Sequence, residues 1–471
     1  MDLPPGGPPG VAVTTLDVTV DSHLRVPVED LSENVRALIV GALTVQDPDD
    51  PDAIPITLYS GDSDGNIVMP RGFALKLKNG LRKMGIGVHW IDRRTTAPID
   101  AAPIEPHIEQ REYQSKAIFR MGRVQQGIYE APPGAGKTVT TCSFIAGLGQ
   151  RTLVIVDKIN IVTQWRDEWM NVTGQIAGQI GDGVLDFERN FVVTTRQSLW
   201  AYREQFDDQR WWDQWGCVVL DECHAISSPT TREIIQRFRA KYRFGLSATP
   251  DRDSWLTMVS RSVIGEIFCR TTDDELEQAG VLVKPRVIVV KTPFTFPWIR
   301  RKDPKIQWAA MVKALKTDNA RNSKIAKLFA AQIGRACLVH TDQKMHAYEL
   351  AGYAQAAGWP ADAVLMLTGD QSDAERTAVR TRAAEGNCII FSTIGQEAMN
   401  IPRLDRFFLV WPSKKDYAIK QMIGRIMRTH AEKDAPILFD FWDSEVGVLK
   451  DQFFKRRGVY DRLGLRVDFV Q

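Results

Sequence analysis

Cysteine is scarce in this chain, and its spacing pairs nothing. Six cysteines are scattered over 471 residues, at positions 142, 217, 223, 269, 337 and 388. None forms a Cys-x-x-Cys, and no cysteine–histidine group has zinc spacing, so a disulfide framework and a structural zinc are both excluded. That usage suits a reducing, intracellular compartment. Long apolar runs are missing too: none approaches the length of a membrane span, so no membrane association is expected. Residues Met1 to Gly10 lack the basic start and apolar centre of a signal peptide, and their Pro and Gly content predicts a flexible tail over 1–12. Neither sign of charge is in excess, with 60 Lys plus Arg against 58 Asp plus Glu. A polyanionic partner would therefore have to be met by a local basic groove. Short repeats and low-complexity tracts are absent beyond the amino terminus.

What is present is length and alternation. A chain of 471 residues exceeds one ordinary core, so several domains are expected. Residues 13–100 mix alternating segments (Val18–Val28, Ile54–Tyr59), a hairpin-like Asp62-Ser63-Asp64-Gly65-Asn66 and a helical pattern from Gly72 to Met84. They predict a small α+β domain. Residues 101–284 alternate apolar runs with helical stretches; strands are expected near Val124–Tyr129, Thr152–Val156, Phe191–Thr194, Cys217–Leu220 and Tyr242–Leu246. Residues 285–471 repeat the style at Ala336–His340, Val364–Leu367, Asn387–Ser392, Arg406–Trp411 and Ile437–Phe441. Continuous apolar strands between helices predict parallel sheets covered on both faces. The fold class is therefore α/β: two tandem parallel-sheet domains plus the small amino-terminal domain.

The most specific chemical signal is Ala131-Pro132-Pro133-Gly134-Ala135-Gly136-Lys137-Thr138, a phosphate-binding loop in A-x-x-x-x-G-K-T form. Its small residues let backbone N–H groups surround phosphate oxygens, Lys137 would reach the β- and γ-phosphates, and the Thr138 hydroxyl would meet Mg²⁺. Cys217-Val218-Val219-Leu220-Asp221-Glu222-Cys223-His224 is an apolar strand ending in two carboxylates. Asp221 is suited to holding Mg²⁺ and Glu222 to polarising a water; the bland alternative is a surface acidic pair. Gly245-Leu246-Ser247-Ala248-Thr249-Pro250 follows the next strand and could equally be a capping loop. Gln421, Arg425 and Arg428 share one face at helical spacing, which suits neutralising charge on a transferring phosphoryl group, or a solvated basic helix. Only the block at 101–284 carries a phosphate loop.

Taken in order, these motifs resemble the superfamily 2 helicases and translocases with a DECH-type second motif, over about residues 107–445. Arg111-Glu112-Tyr113-Gln114 is similar to the adenine-reading element of XPB-like and UvsW-like members. The resemblance implies that Gln114 meets the adenine edge, with Tyr113 or Arg111 in support. Asp157-Lys158 through Gln164-Trp165, Gly181-Asp182-Gly183, and Thr195-Arg196-Gln197 look like the family's nucleic-acid motifs. His340-Thr341-Asp342, Thr368-Gly369-Asp370 and Ser392-Thr393 look like their counterparts in the later domain. Each short element alone could be a turn or cap. The family's E-G-x-D-I-P stands here as Glu397-Ala398-Met399-Asn400-Ile401-Pro402, where the Asn400 amide can still bond a ribose hydroxyl.

The resemblance implies two RecA-like domains, ATP and Mg²⁺ as cofactors, and single-stranded or branched DNA as partner, with a monomer expected in the cytoplasm of a bacterium or phage-infected cell. An RNA-dependent ATPase and the motor subunit of a restriction-type complex are the alternatives. No nuclease-like carboxylate and lysine cluster stands in the remaining sequence. Further DNA-contact candidates are the cations Arg71, Lys76, Lys78, Arg82, Lys83, Arg93 and Arg94, the loop Trp298-Ile299-Arg300-Arg301-Lys302 and the tail Phe453-Phe454-Lys455-Arg456-Arg457. The tryptophans 200, 211, 212 and 215 fit a core better than a junction wedge.

Overall fold

The computed structural model describes residues 15–47, 52, 54–100, 103–248, 255–297, 304–394, 401, 403–412, 419, 422–424, 426–427, 429 and 433–470. The chain divides into two compact units, one of residues up to Pro132 with Gly136–Thr271, the other of Pro133–Ala135 with Thr272 onward.

The first unit opens with strands Thr15–Val20 (β1) and His23–Pro27 (β2), a small ribbon of Thr44–Val45 (β3) and Ile56–Thr57 (β4), and strands Ser60–Gly61 (β5), Asn66–Pro70 (β6) and Gly87–Asp92 (β7). Five of them form a sheet in the order β5-β6-β2-β1-β7. The Asp62 carboxylate closes the turn between β5 and β6 by accepting from the backbone N–H groups of Asp64 and Asn66, at 3.0 and 2.9 Å. Helices Glu33–Leu43 and Ala74–Lys83 bury Val35, Ile39, Leu43, Leu77 and Leu81 against this sheet. Their apolar residues recur every four positions, which makes one continuous stripe.

The same unit continues into Gln126–Glu130 (β8), Thr152–Val156 (β9), Gly178–Gly181 (β10), Val184–Asp186 (β11), Phe191–Thr195 (β12), Cys217–Leu220 (β13), Tyr242–Ser247 (β14) and Ile267–Arg270 (β15). Their order is β11-β10-β12-β9-β13-β14-β8-β15, parallel except for the β10–β11 hairpin. Strands β9, β12 and β13 are buried along their whole length, as a sheet covered on both faces requires. Trp212 and Trp215 lie in this core, with Trp200 and Trp211 packed against it and Trp211 stacked 3.8 Å from Phe206.

The amino-terminal sheet is joined to this second sheet through buried arginine. Arg71 is fully buried; its Nε donates to Gln126 Oε1 at 2.7 Å, and one Nη donates to the carbonyls of Asp21 and Ala240 at 3.2 and 2.7 Å. Buried Arg243 reaches the Ser22 and Phe238 carbonyls at 3.3 and 2.7 Å. Beside Arg71, a Cβ on Gly72 would come within 2.6 Å of the Gly265 nitrogen, so the junction admits only glycine there. This corrects one expectation. Arg71 is a structural tie and no DNA contact, whereas Lys78, Arg82, Lys83 and Arg93 are exposed.

The second unit contains Arg286–Lys291 (β16), Cys337–His340 (β17), Val364–Leu367 (β18), Ile389–Ser392 (β19), Arg406–Leu409 (β20), Ile437–Trp442 (β21) and Val467–Val470 (β22). These form a parallel sheet in the order β18-β19-β17-β20-β21-β16-β22. Buried ion pairs lie in this unit: Arg321 Nε is 2.8 Å from Asp443 Oδ1, an Arg456 Nη is 2.8 Å from Asp440 Oδ1, and an Arg406 Nη is 3.6 Å from Asp405 Oδ2. The tail candidate is corrected in part, because Phe453 and Arg456 are core; Phe454 remains exposed. Among the described residues, no helix is long and apolar enough to cross a membrane.

Candidate functional site

In a parallel sheet every strand delivers its following loop to the same carboxyl edge, where ligands bind in open α/β folds. On the eight-stranded sheet that edge receives Ala131 and Lys137 after β8, Asp157-Lys158 after β9, Thr195 from β12, Asp221-Glu222 after β13 and Ser247-Ala248 from β14. One strand, β14, separates β8 from β13. The sequence scatters these residues over about a hundred positions, and the topology gathers them.

The phosphate loop turns on two glycines with positive φ, Gly134 at 91° and Gly136 at 72°. Only glycine takes these angles without strain. Gly136 caps the helix Lys137–Leu148, whose N-terminal N–H groups and dipole favour an anion. The Lys137 ammonium donates to the Ala131 carbonyl at 2.8 Å. Gln114 comes against this loop: a Cβ on Gly136 would lie 2.7 Å from its Nε2. The Gln114 Oε1 accepts from the Arg111 backbone N–H at 2.9 Å, which leaves the NH₂ end turned toward the glycine. Tyr113 is buried, and burial raises its phenol pKa above the ordinary value. The Gln114 amide thus stands beside Gly136, with Tyr113 buried next to it in sequence.

Asp221 and Glu222 are half-buried at the end of β13. Asp221 Oδ2 accepts from the Trp165 indole N–H at 2.9 Å, and Oδ1 accepts from the Glu222 backbone N–H at 2.9 Å. Burial and the neighbouring Glu222 carboxylate push the Asp221 pKa up, while Trp165 and Lys137 pull it back. Burial works in the same direction on Glu222, but His224, Lys137 and the Ala248 backbone N–H outweigh it and hold the carboxyl below its ordinary value. Glu222 has φ of 47°, a left-handed conformation unusual for a side chain of its size, and strain of this kind concentrates at working sites. Gly245 in β14 makes room for Cys223: a Cβ there would sit 2.9 Å from the Cys223 Cβ.

A nucleotide-bound Mg²⁺ takes one or two carboxylates together with phosphate oxygens, with no all-protein cage. The residues here fit that demand. Asp221 is oriented by two donors, Thr138 lies in the first turn after the phosphate loop, and Glu222 Oε2 is buried 3.3 Å from His224 Nδ1. Consistently, no cluster of three or more His, Cys, Asp or Glu side chains stands ready for a metal among the described residues.

On the same edge Asp157, Lys158, Ile159, Asp182, Thr195, Gln197 and Ser198 line an open cavity of about 510 Å³. Three separately chosen sequence elements meet in it. Gly181 is fixed by its surroundings, since at φ of 115° a Cβ would overlap the Ser198 hydroxyl. The Thr195 hydroxyl caps the helix Arg196–Tyr202 by accepting from the Ser198 N–H at 3.0 Å. Arg196 pairs with the lining residue Asp157 and donates to Thr231 Oγ1 at 3.0 Å, but its own side chain is absent from the cavity lining. Gln164 is exposed on the helix Ile159–Thr173 and is absent from the cavity lining. The following residue, Trp165, is the one turned inward to Asp221.

In the second unit His340, Thr368 and Thr393 follow or end β17, β18 and β19, three neighbouring strands. His340 is buried with Nε2 3.3 Å from Asp342 Oδ1, and its Nδ1 meets no hydrogen-bond partner among the described residues. The Thr368 hydroxyl donates to Asp370 Oδ1 at 2.7 Å across Gly369. Asn400, Gln421, Arg425 and Arg428, like Thr249, Pro250 and the loop 298–302, lie outside the described residues.

Residues 107–252 match the family described as "Type III restriction enzyme, res subunit". A curated protein from Halobacterium salinarum, "Putative DNA 3'-5' helicase Rad25", is 27% identical over 376 residues, covering 77% of this chain and 58% of its own length. "Probable helicase D10" of Escherichia phage T5 is 28% identical over 181 residues, 38% of each chain. The chain thus spans less than two thirds of the length of these relatives. Among solved structures, a fragment of a putative HsdR subunit of a type I restriction enzyme from Vibrio vulnificus superposes with a TM-score of 0.56 at 20% identity. That superposition covers 78% of this chain and 69% of the other, and it shows the shared tandem RecA-like fold.

Proposed function

We propose that this chain, a superfamily 2 protein of the XPB- and Rad25-like kind, is an ATP-driven DNA translocase or helicase. The observation that carries the reading is the convergence on one sheet edge of the phosphate loop, the Asp221–Glu222 pair and the cavity walled by Lys158, Thr195 and Gln197. A hydrolytic site and a strand-binding site on one rigid sheet are what a motor needs to exchange nucleotide energy for grip.

In this reading Lys137 and the backbone N–H groups of the loop bind the triphosphate, and Gln114 meets the adenine. Asp221 and Thr138 would hold Mg²⁺, which when bound neutralises phosphate charge. Glu222, kept ionised by Lys137 and His224, orients the attacking water and takes its proton. Arg425, Arg428 and Gln421 are assigned on sequence grounds to charge on the transferring phosphoryl group. Lys158, Gln164, Gly181, Thr195, Arg196 and Gln197 would hold one strand, and His340, Thr368, Gly369 and Thr393 would hold it in the other unit.

The preferred substrate in this proposal is branched DNA: forks, displacement loops and four-way junctions. The amino-terminal sheet supports it, being fixed to the motor sheet by Arg71 and Arg243 while exposing Lys78, Arg82, Lys83 and Arg93. A motor subunit of a restriction-type assembly is the second reading, supported by the family matched over 107–252. Incubation with a synthetic four-way junction, an equal-length duplex, and ATP separates them. Conversion of the junction to resolved duplexes without cleavage supports remodelling; ATP turnover without junction conversion supports the restriction-motor reading.

A further inference from the structure

We infer that Trp165 is the positioning residue that couples the strand-binding cavity to the metal-holding carboxylate, an inference that rests on the function proposed above. The indole N–H donates to Asp221 Oδ2 at 2.9 Å, and the ring is fully buried. Trp165 belongs to the helix Ile159–Thr173, whose N-cap is Lys158. Lys158 and Ile159 are wall residues of the open cavity. One rigid element therefore carries a strand-binding loop at its start and the Asp221 donor about two turns later. Seven positions separate the exposed, extended N-cap Lys158 from the buried Trp165.

The lining residue Asp157 is tied to the same region through Arg196. Arg196 pairs with Asp157 and donates to Thr231, which lies in the helix Pro229–Arg237 that follows the carboxylate pair. A nucleic-acid backbone that seats on Lys158 and Gln197 would set the pitch of the Ile159–Thr173 helix, and with it the direction of the Trp165 N–H. The Asp221 carboxylate also accepts from the neighbouring backbone N–H of Glu222, which moves with it. The Trp165 bond is thus a side-chain contact that fixes the Asp221 carboxylate from outside its own strand.

The test is Trp165→Phe in the full chain, which keeps an aromatic ring and removes the N–H. Trp169→Phe is the control: that side chain is buried on the same helix, stacked 4.1 Å from Phe191, with no bond to the carboxylates. Mn²⁺ binding in the presence of ADP is read by electron paramagnetic resonance, DNA binding by anisotropy, and the ratio of ATP turnover with and without DNA in parallel. Loss of a hydrogen bond to a charged group predicts Mn²⁺ affinity lower by about tenfold and a severalfold smaller DNA stimulation ratio. DNA affinity and the urea midpoint stay near wild type, and Trp169→Phe alters neither metal affinity nor the ratio. A folded Trp165→Phe with wild-type Mn²⁺ affinity and stimulation ratio overturns the coupling role, as does Trp169→Phe giving the same losses. Wild-type protein that binds Mn²⁺–ADP but shows no DNA effect would instead defeat the proposed function.

Discussion

At the scale of single residues the account rests on Lys137, Asp221 and Glu222. Lys137→Ala is expected to abolish ATP turnover while DNA affinity stays within a few-fold of wild type. Steady-state ATPase and anisotropy check it, and full turnover in this variant would remove the site assignment. Glu222→Gln keeps the shape but loses the base, so turnover should fall by about 10² to 10⁴ with nucleotide affinity little changed. The residues that the sequence made legible here were those whose role is written locally, in a glycine-rich loop or paired carboxylates. Trp165 was not legible as a donor to Asp221, because that bond spans 56 positions and depends on which side of its helix faces β13. Arg71 was misread for a related reason. It sits in a run of basic residues, and nothing local distinguishes the one cation that is buried against Gln126 and Ala240 from its exposed neighbours.

At the scale of elements, the strands around each motif were readable from apolar runs bounded by polar turns. Strands β10, β11, β15, β16 and β22 were not called, nor was the helix Glu33–Leu43. Most are short or lie at sheet edges, where one-sided burial weakens the apolar signal. Two predictions belong here. Arg71→Leu should cost about 2–4 kcal/mol, because the Asp21 and Ala240 carbonyls lose a buried donor, and it should expose the 92–100 connection to limited proteolysis. Lys83→Ala, on the exposed side of the adjoining helix, should leave the urea midpoint nearly unchanged. The second concerns His346, which is fully buried between Thr341 Oγ1 at 3.1 Å and Asn322 Oδ1 at 3.3 Å. Burial, with Arg321 and Lys316, lowers its pKa to about 3 from 6.5. The folded state holds it neutral where the unfolded chain protonates, so its contribution is complete above about pH 6.5 and is lost progressively as pH falls toward 3. Urea melts across that window should show stability falling with acid, and His346→Gln should flatten the slope; an unchanged slope would contradict the assignment.

At the scale of the whole molecule the claim is that nucleotide chemistry and strand binding belong to one machine. The first unit alone puts both proposed sets of residues on one sheet edge, and the second places His340, Thr368 and Thr393 at β17, β18 and β19. Binding through phosphate contacts should weaken steeply with salt, with log affinity falling linearly against log salt. The measurement that tests the claim most directly is the steady-state ATPase rate of wild type and Glu222→Gln, without nucleic acid and with single-stranded DNA, four-way junction DNA and matched RNA. The account predicts strong stimulation by DNA, greatest with the junction, and its loss in Glu222→Gln. Stimulation by RNA alone, or turnover that no nucleic acid alters, would contradict it.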